Sequence, residues 1–234
     1  RARSDERFTV ESVVREVGTS GDLPALAILL ARDDELAREI NVVDIAPGPR
    51  RLGLARLLAA AASGDQHLQR VLSFDPEQGR AILETLVDHG EPVDIGTRRR
   101  RALRVCQQLG SALGALHDAG LWHGRVARQS VRQIGELTVL TLVDALVQWA
   151  EPSGEEPPAG SPADDVAAVL SFCELRDAPE GLVDGRALAR WASEQLDSEA
   201  EAELAALRER LLSEALERAP AGLSDEGEDG STAH

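Results

Sequence analysis

The first third of the chain alternates apolar runs with short polar turns. Three runs rich in β-forming residues predict strands over residues 8–14, 25–30 and 39–45. From Leu52, leucine and alanine recur every three or four residues, which predicts an amphipathic helix to about Ser63. Two further runs, 68–74 and 80–87, flank a turn-rich pentamer and predict a hairpin. The predicted order is three strands, one helix and two strands.

Helical periodicity dominates after residue 97. Apolar residues at three- and four-residue spacing from Ala102 to Leu116 predict a helix that ends at Gly120. Runs at 130–134 and 137–143, separated by Gly135-Glu136, predict a second hairpin. Further helices are predicted from an aspartate cap at 164 or 165 through 174, and over 198–216. The stretch 150–162 is predicted to be a loop, and the acidic stretch 220–234 to be disordered.

Composition excludes several classes of function. The 234 residues carry 25 basic and 41 acidic side chains, a net charge of −16, and every basic residue is arginine. Without lysine the chain can form neither a Walker A phosphate loop nor a Schiff base. An acidic surface repels nucleic acid, and no apolar run is long enough to span a membrane, so we expect a cytoplasmic location. Because methionine is also absent, we expect a fragment of a longer protein.

Two cysteines, Cys106 and Cys173, lie inside apolar helical patterns without CxxC spacing. This placement predicts two buried free thiols rather than a disulfide or a zinc site. The composition, rich in alanine and arginine and free of lysine, is typical of a bacterium with a high-GC genome.

The segment ALHDAGLWHGRVARQSV (residues 115–131) resembles the catalytic region of a bacterial Ser/Thr protein kinase. In that family a helix ending in ALHxxG is followed by HRDLKPEN, a short hairpin and DFG. His123-Gly124-Arg125 stands where HRD would be, and Val143-Asp144-Ala145 begins the match to IDFG. Upstream, 31–45 resembles the strands around the VAIK lysine and 83–86 resembles the hinge, while 164–170 resembles the DVYSLGVLL helix.

The departures from the kinase pattern remove the parts that phosphoryl transfer requires. Val43 stands at the lysine position, and Arg56 stands where the helix glutamate would be. Arg125 replaces the catalytic aspartate and cannot accept a proton, because the guanidinium pKa lies above about 12. Ser130 replaces the metal-binding asparagine. The resemblance therefore implies degenerate catalytic positions and no bound cofactor or metal.

Three residues are vestiges of the nucleotide site on this resemblance: Gly18 of the glycine-rich loop, Glu84 of the hinge and Asp144 of DFG. Ser20 and Leu23 replace the later glycines of the loop. Asp144 alone would make a poor magnesium site, so we expect it to cap a loop or to pair with an arginine. His123 is expected to be a structural histidine, whereas His67, His89 and His117 have no assigned role.

One basic cluster stands out on the acidic chain. It consists of Arg98, Arg99, Arg100, Arg101 and Arg104 at the start of the long helix. These arginines could pair with the chain's own carboxylates, or they could dock an acidic or phosphorylated segment of another protein through bidentate hydrogen bonds. They are the candidate partner-binding residues.

The sequence therefore predicts an α+β, protein-kinase-like two-lobe fold. An antiparallel N-lobe sheet with one helix is expected over 1–87, an abbreviated and mainly helical C-lobe over 88–219, and a disordered acidic tail over 220–234. The predicted function is that of a pseudokinase, a signalling domain that regulates or scaffolds through protein binding. The alternative is a degenerate enzyme that retains nucleotide binding or an unusual phosphoryl or nucleotidyl transfer. A third reading is an α+β structural domain whose kinase likeness is accidental.

Overall fold

The computed structural model describes residues 7–18, 24–62, 64–86, 91–93, 95, 98–151 and 158–218. Two compact units make up the chain, Arg1–Gln195 and Leu196–His234. The predicted boundaries at 87/88 and 219/220, the tail 220–234, Ser20 and Leu23 all fall outside the described residues.

The first unit contains two antiparallel sheets. The larger has five strands in the order β1-β2-β3-β5-β4, and the smaller has three in the order β6-β7-β8. The strands of the larger sheet are β1 (Phe8–Val17), β2 (Leu26–Asp33), β3 (Arg38–Ile45), β4 (Val71–Asp75) and β5 (Arg80–Glu84). Those of the smaller sheet are β6 (Glu91–Pro92), β7 (Val131–Ile134) and β8 (Leu137–Leu140).

Five α-helices complete the described structure. They are α1 (Arg51–Ala61), α2 (Arg99–His117), α3 (Val143–Ala150), α4 (Pro162–Phe172) and α5 (Gly185–Arg218). The fold is therefore α+β, as the sequence predicts. Helix α1 lies between β3 and β4 in the chain, so the predicted succession of three strands, one helix and two strands is confirmed.

Strands β2 and β3 lie in the core of the larger sheet and are buried over consecutive residues. Ile28, Ala31, Ile40 and Val43 are fully buried, whereas β1 is exposed along most of its length. Helix α1 packs against β4, α2 and α3 and buries Leu54, Leu57 and Leu58 and, in its last turn, Ala61. Burying a leucine side chain contributes about 1.5–3 kcal/mol, so this face is what keeps α1 in place.

Helices α2 and α5 approach each other through glycine. A Cβ built on Gly110 would lie 2.7 Å from the Ala189 nitrogen and 2.8 Å from the Gly185 carbonyl oxygen. A Cβ on Gly185 would lie 2.3 Å from the Gly114 nitrogen. No side chain fits between these backbones, so glycine sets the distance between the two helices.

Three predicted elements need correction. Residues 143–150 form helix α3, whereas the sequence analysis predicts a strand that ends at residue 143 and a loop that begins at residue 150. Helix α5 begins at Gly185 and not near residue 198, so its first turns belong to the first unit. Helix α4 is capped by Ser161, whose hydroxyl accepts from the Asp164 N–H, with proline following in the first turn.

Gly110→Ala should destabilise the first unit by about 1–3 kcal/mol, because the new methyl group overlaps the backbone of α5. A loss of stability would be diagnostic of the close helix contact, because replacing glycine by alanine inside a helix otherwise adds about 1 kcal/mol of stability. Urea denaturation measures the difference.

Gly114→Ala is the matched control. The three atoms nearest to its Cβ, from 2.8 Å, all belong to the Arg186 side chain, which is more flexible than the backbone that Gly110 meets. We expect a smaller cost than at Gly110. Equal or greater stability of Gly110→Ala than of wild type would contradict the helix contact.

Candidate functional site

A buried carboxylate organises the segment that carries the kinase-like motif. Asp165, in the first turn of α4, is 1 % exposed. Its two oxygens accept hydrogen bonds from the His123 N–H at 2.7 Å and the Gly124 N–H at 2.8 Å. A third contact, 3.2 Å from Oδ2, is the His117 Nε2. Asp165 thus fastens the loop between α2 and β7 (residues 118–127, the α2–β7 loop) to helix α4.

The contacts of His117 define its tautomer. Its Nδ1 accepts from the Gly185 N–H at 2.9 Å, so the proton of the neutral ring sits on Nε2 and is donated to Asp165. The side chain is 3 % exposed. The sequence assigns no role to His117, and in the structure this helix residue joins α2, α4 and the first turn of α5.

His123 is fully buried and has a structural role, as the sequence predicts. Its Nε2 donates to the Thr141 carbonyl at 2.8 Å, and its Nδ1 accepts from the Arg125 N–H at 3.3 Å. Burial lowers the pKa of the imidazole, while the Thr141 carbonyl and the carboxylates of Asp165 and Asp144 act in the opposite direction. The ring is held neutral.

Arg125, at the position predicted for the catalytic aspartate, is directed at helix α3. Its Nε donates to the Gln148 side-chain oxygen at 2.6 Å, and its Nη2 pairs with Glu151. The guanidinium is a donor at every site and accepts nothing. In place of a base, the loop therefore carries a cation that ties it to the C-terminal end of α3.

Two other degenerate positions serve the fold. Ser130 is fully buried, and its hydroxyl accepts from the Ala127 N–H at 2.8 Å and donates to the Ala127 carbonyl at 2.7 Å. Val43 is fully buried in β3 between Ile28 and Ala81. A serine that closes its own loop and a valine inside the sheet leave no group for metal or phosphate at these positions.

Helix α3 packs against β1, β2 and α1, next to the vestigial glycine. Gly18 has a φ of +63°, and a Cβ built on it would lie 3.9 Å from the Ala150 carbonyl oxygen. On the other side, a Cβ on Gly53 of α1 would lie 3.0 Å from the Trp149 ring. Asp144, in the first turn of α3, is partly buried near His123. The end of α3 thus occupies space beside the residue where a phosphate loop would begin.

Glu84, which stands where a kinase hinge would be on the sequence resemblance, forms a hydrogen bond through its backbone carbonyl. The Glu84 carbonyl accepts from the Gln69 side-chain nitrogen at 2.7 Å, and the Gln69 side-chain oxygen accepts from the Leu142 N–H at 2.8 Å. Gln69 is 1 % exposed. One buried amide therefore connects the end of β5 with the segment before α3, a connection that no sequence pattern signals.

His67 is also buried, contrary to the expectation of an unassigned histidine. Its Nδ1 lies 3.1 Å from the Thr138 carbonyl, and its backbone N–H donates to Asp65. His89 lies outside the described residues. The thiols of Cys106 and Cys173 are both buried and free, as predicted. A hydrogen bond with Cys173, together with burial, raises the pKa of the Cys106 thiol, so it stays protonated.

The basic cluster lies in a groove between the start of α2 and the β7–β8 hairpin. The cavity has a volume of about 720 Å³. We call it the arginine groove. It is lined by Ile95, Arg98, Arg100, Arg101, Arg104, Val105, Gln108, Gln133, Gly135, Glu136 and Thr138. Of the five clustered arginines, only Arg99 is absent from the lining.

Arg99 pairs with a carboxylate of the chain itself, which is one of the two alternatives that the sequence leaves open. Its guanidinium meets Asp177 at 2.8 Å and Gln195 at 3.2 Å. This contact lowers the pKa of the Asp177 carboxyl. Arg99 therefore pairs away from the groove, whereas the other four arginines of the cluster line it.

A glutamine fixes the width of the groove. The Gln108 side-chain oxygen accepts from the Thr138 N–H at 2.7 Å, and its nitrogen donates to the Glu136 carbonyl at 3.1 Å. Both ends of the amide are bonded to the hairpin. These two hydrogen bonds therefore hold helix α2 against the β7–β8 hairpin, and both elements line the arginine groove.

The described residues contain no group of three or more His, Cys, Asp or Glu side chains that could hold a metal ion. None of the helices in this part of the chain is long and apolar enough to cross a membrane. No protein-family model matches the sequence, and no curated protein resembles it significantly.

Asp165→Asn should lower the free energy of unfolding by about 3 kcal/mol. The amide presents NH₂ to donors that now bond a carboxylate, leaving buried N–H groups unpaired. Asp164→Asn is the control, since it removes the same charge from the same turn but only an exposed contact with Ser161. Chemical denaturation of both variants makes the comparison, and equal losses would refute the central role of Asp165.

Stability should fall as the pH drops from about 6.5, the ordinary histidine pKa. In that range the unfolded chain binds a proton at His123 that the folded chain rejects, because burial lowers the folded pKa. His123→Gln should flatten this dependence. Urea midpoints of both proteins at pH 7.5 and 5.5 provide the test, and parallel pH profiles would rule out the assignment.

Proposed function

We propose that the chain is a catalytically inactive, protein-kinase-like domain, a pseudokinase, that acts as a regulatory or scaffold module by binding another protein. The observation that carries the proposal is Arg125. The loop that would hold a catalytic base holds a cation bonded to Gln148 and Glu151. A guanidinium cannot take a proton from a hydroxyl group at any physiological pH.

The order of elements supports the kinase-like part of the proposal. Three strands are followed by one helix and two more strands. The five strands form a single antiparallel sheet in the order β1-β2-β3-β5-β4. A long helix, a loop with a buried histidine and a short hairpin follow, in the order that the sequence resemblance implies. Asp165, from the segment that resembles the DVYSLGVLL helix, bonds the backbone of that loop.

The inactive part rests on several independent losses. Val43 is buried and apolar, Ser130 bonds its own loop, and α3 lies beside Gly18. Phosphoryl transfer needs positioned phosphates and metal ions, and each of these positions lacks a suitable group. A domain without chemistry can act only through differential binding, which makes a protein partner the natural effector.

Addition of Mg²⁺ and ATP should leave the melting temperature unchanged. A ligand at 100 times its dissociation constant would add about 2.7 kcal/mol, which moves the midpoint of a unit this size by several degrees. Differential scanning fluorimetry with ATP and ADP, with Mg²⁺ and Mn²⁺, is the measurement. An upward shift that Asp144→Ala abolishes would favour the degenerate enzyme instead.

The binding part of the proposal needs a cross-linker that does not depend on lysine, because the chain has none. A photoreactive amino acid at Glu136, on the rim of the arginine groove, should cross-link a discrete protein in the native host. The same probe at Arg38, exposed on another hairpin, is the control. Equal cross-linking from both positions would argue against a specific partner surface.

A further inference from the structure

We propose that the arginine groove binds a phosphorylated segment of a protein, with Arg98 and Arg101 as its principal phosphate ligands. This inference deepens the proposed function and rests on it, since it identifies the chemistry of the partner. Four arginines line a single cavity, and Glu136 is the one acidic residue among its described lining residues. The described lining therefore carries a net charge of +3 on a chain of net charge −16.

Two of the four arginines are left without a described partner. Arg98 and Arg101 make no ion pair and no side-chain hydrogen bond with any described residue. Arg104 lies 3.8 Å from Glu136, and both side chains are more than half exposed, which makes this pair weak. The described acidic groups thus leave the guanidinium groups of Arg98 and Arg101 available to an external anion.

The start of α2 adds to the positive potential. Its first turn has no acidic residue, and the N-cap position is occupied by Arg98, whose side chain has no oxygen that could cap the helix N–H groups. The helix dipole places a further partial positive charge at this end. Because like charges at three- and four-residue spacing repel, an anion that bridges these arginines relieves repulsion as it binds.

A phosphate monoester fits this arrangement better than a carboxylate. At pH 7 it carries about −1.5 to −2 charges and three acceptor oxygens, so it can bond two guanidinium forks at once. A cavity of about 720 Å³ is far larger than one phosphate group. The site therefore accommodates a phosphate together with the residues on either side of it.

The same observations disfavour extended polyanions. Its described lining residues include no aromatic side chain on which a base could stack. A net charge of −16 repels nucleic acid or an anionic membrane over a broad area, whereas a short segment senses mainly charges within about 8–10 Å. A single phosphorylated segment meets the local positive charge without facing the rest of the acidic surface.

The test uses three fluorescent pools of nine-residue peptides that differ only at the central position. The pools carry phosphothreonine, threonine or glutamate at that position, with degenerate flanks free of other acidic residues. Anisotropy at low and physiological salt should show binding of the phosphothreonine pool, at least about ten-fold weaker binding of the glutamate pool and none of the threonine pool. Inorganic phosphate should compete.

Arg98→Ala with Arg101→Ala should weaken binding of the phosphothreonine pool by about ten-fold or more, because two charge-assisted contacts are lost. Arg32→Ala with Arg38→Ala is the matched control. It removes the same charge from exposed positions on β2 and β3 and should leave the affinity unchanged. Circular dichroism and the melting temperature confirm that both variants are folded.

Several outcomes would overturn the inference. They are equal binding of the three pools, no binding of the phosphothreonine pool at millimolar concentration, and undiminished affinity in the Arg98/Arg101 variant. Tighter binding of a single-stranded oligonucleotide or of anionic phospholipid vesicles through the same arginines would identify a different occupant. None of these results affects the proposed inactivity, which fails only if magnesium and ATP bind or phosphate is transferred.

Discussion

The Asp165 carboxylate accepts hydrogen bonds from His117 and from the backbone of His123 and Gly124, all within the protein interior. A buried carboxylate is tolerated only when its oxygens are bonded in this way, so the two segments that supply the donors must assemble with the helix that carries the carboxylate. Helix α2, the α2–β7 loop and helix α4 therefore form one structural unit. Asp165 holds the α2–β7 loop against α4 by bonding two of its backbone N–H groups.

The positions that the sequence resemblance aligns with kinase motifs have structural roles in this fold. Arg125 bonds the end of α3, Ser130 closes its own loop, and Val43 fills the sheet. A catalytic group must be partly exposed and free to change its protonation state, whereas these side chains are saturated or apolar. The positively charged surface lies elsewhere, between α2 and the β7–β8 hairpin, where four arginines converge. The chain thus separates its structural centre from its candidate binding surface.

Local patterns in the sequence predict most of the elements but few of their connections. The strands through β5, helices α1 and α2 and the β7–β8 hairpin follow from periodicity and turn residues. Helix α3 was missed because an apolar run of eight residues fits a strand or a helix equally well. The roles of His117 and Gln69 depend on partners 48 and 73 residues away, which no local signal reveals. The arginine cluster was visible in the sequence, but only the structure separates Arg99, paired with Asp177, from the four that line the groove.

The two hydrogen bonds of the Gln69 side chain have a consequence for how this fold can respond to a ligand. They join the Glu84 carbonyl, at the end of the five-stranded sheet, to the Leu142 N–H, which precedes α3. Separating these regions leaves buried polar groups unpaired at a cost of about 1–3 kcal/mol each. The closed arrangement therefore predominates when no ligand is bound, and a ligand that favours the opened one must supply this cost from its own binding free energy.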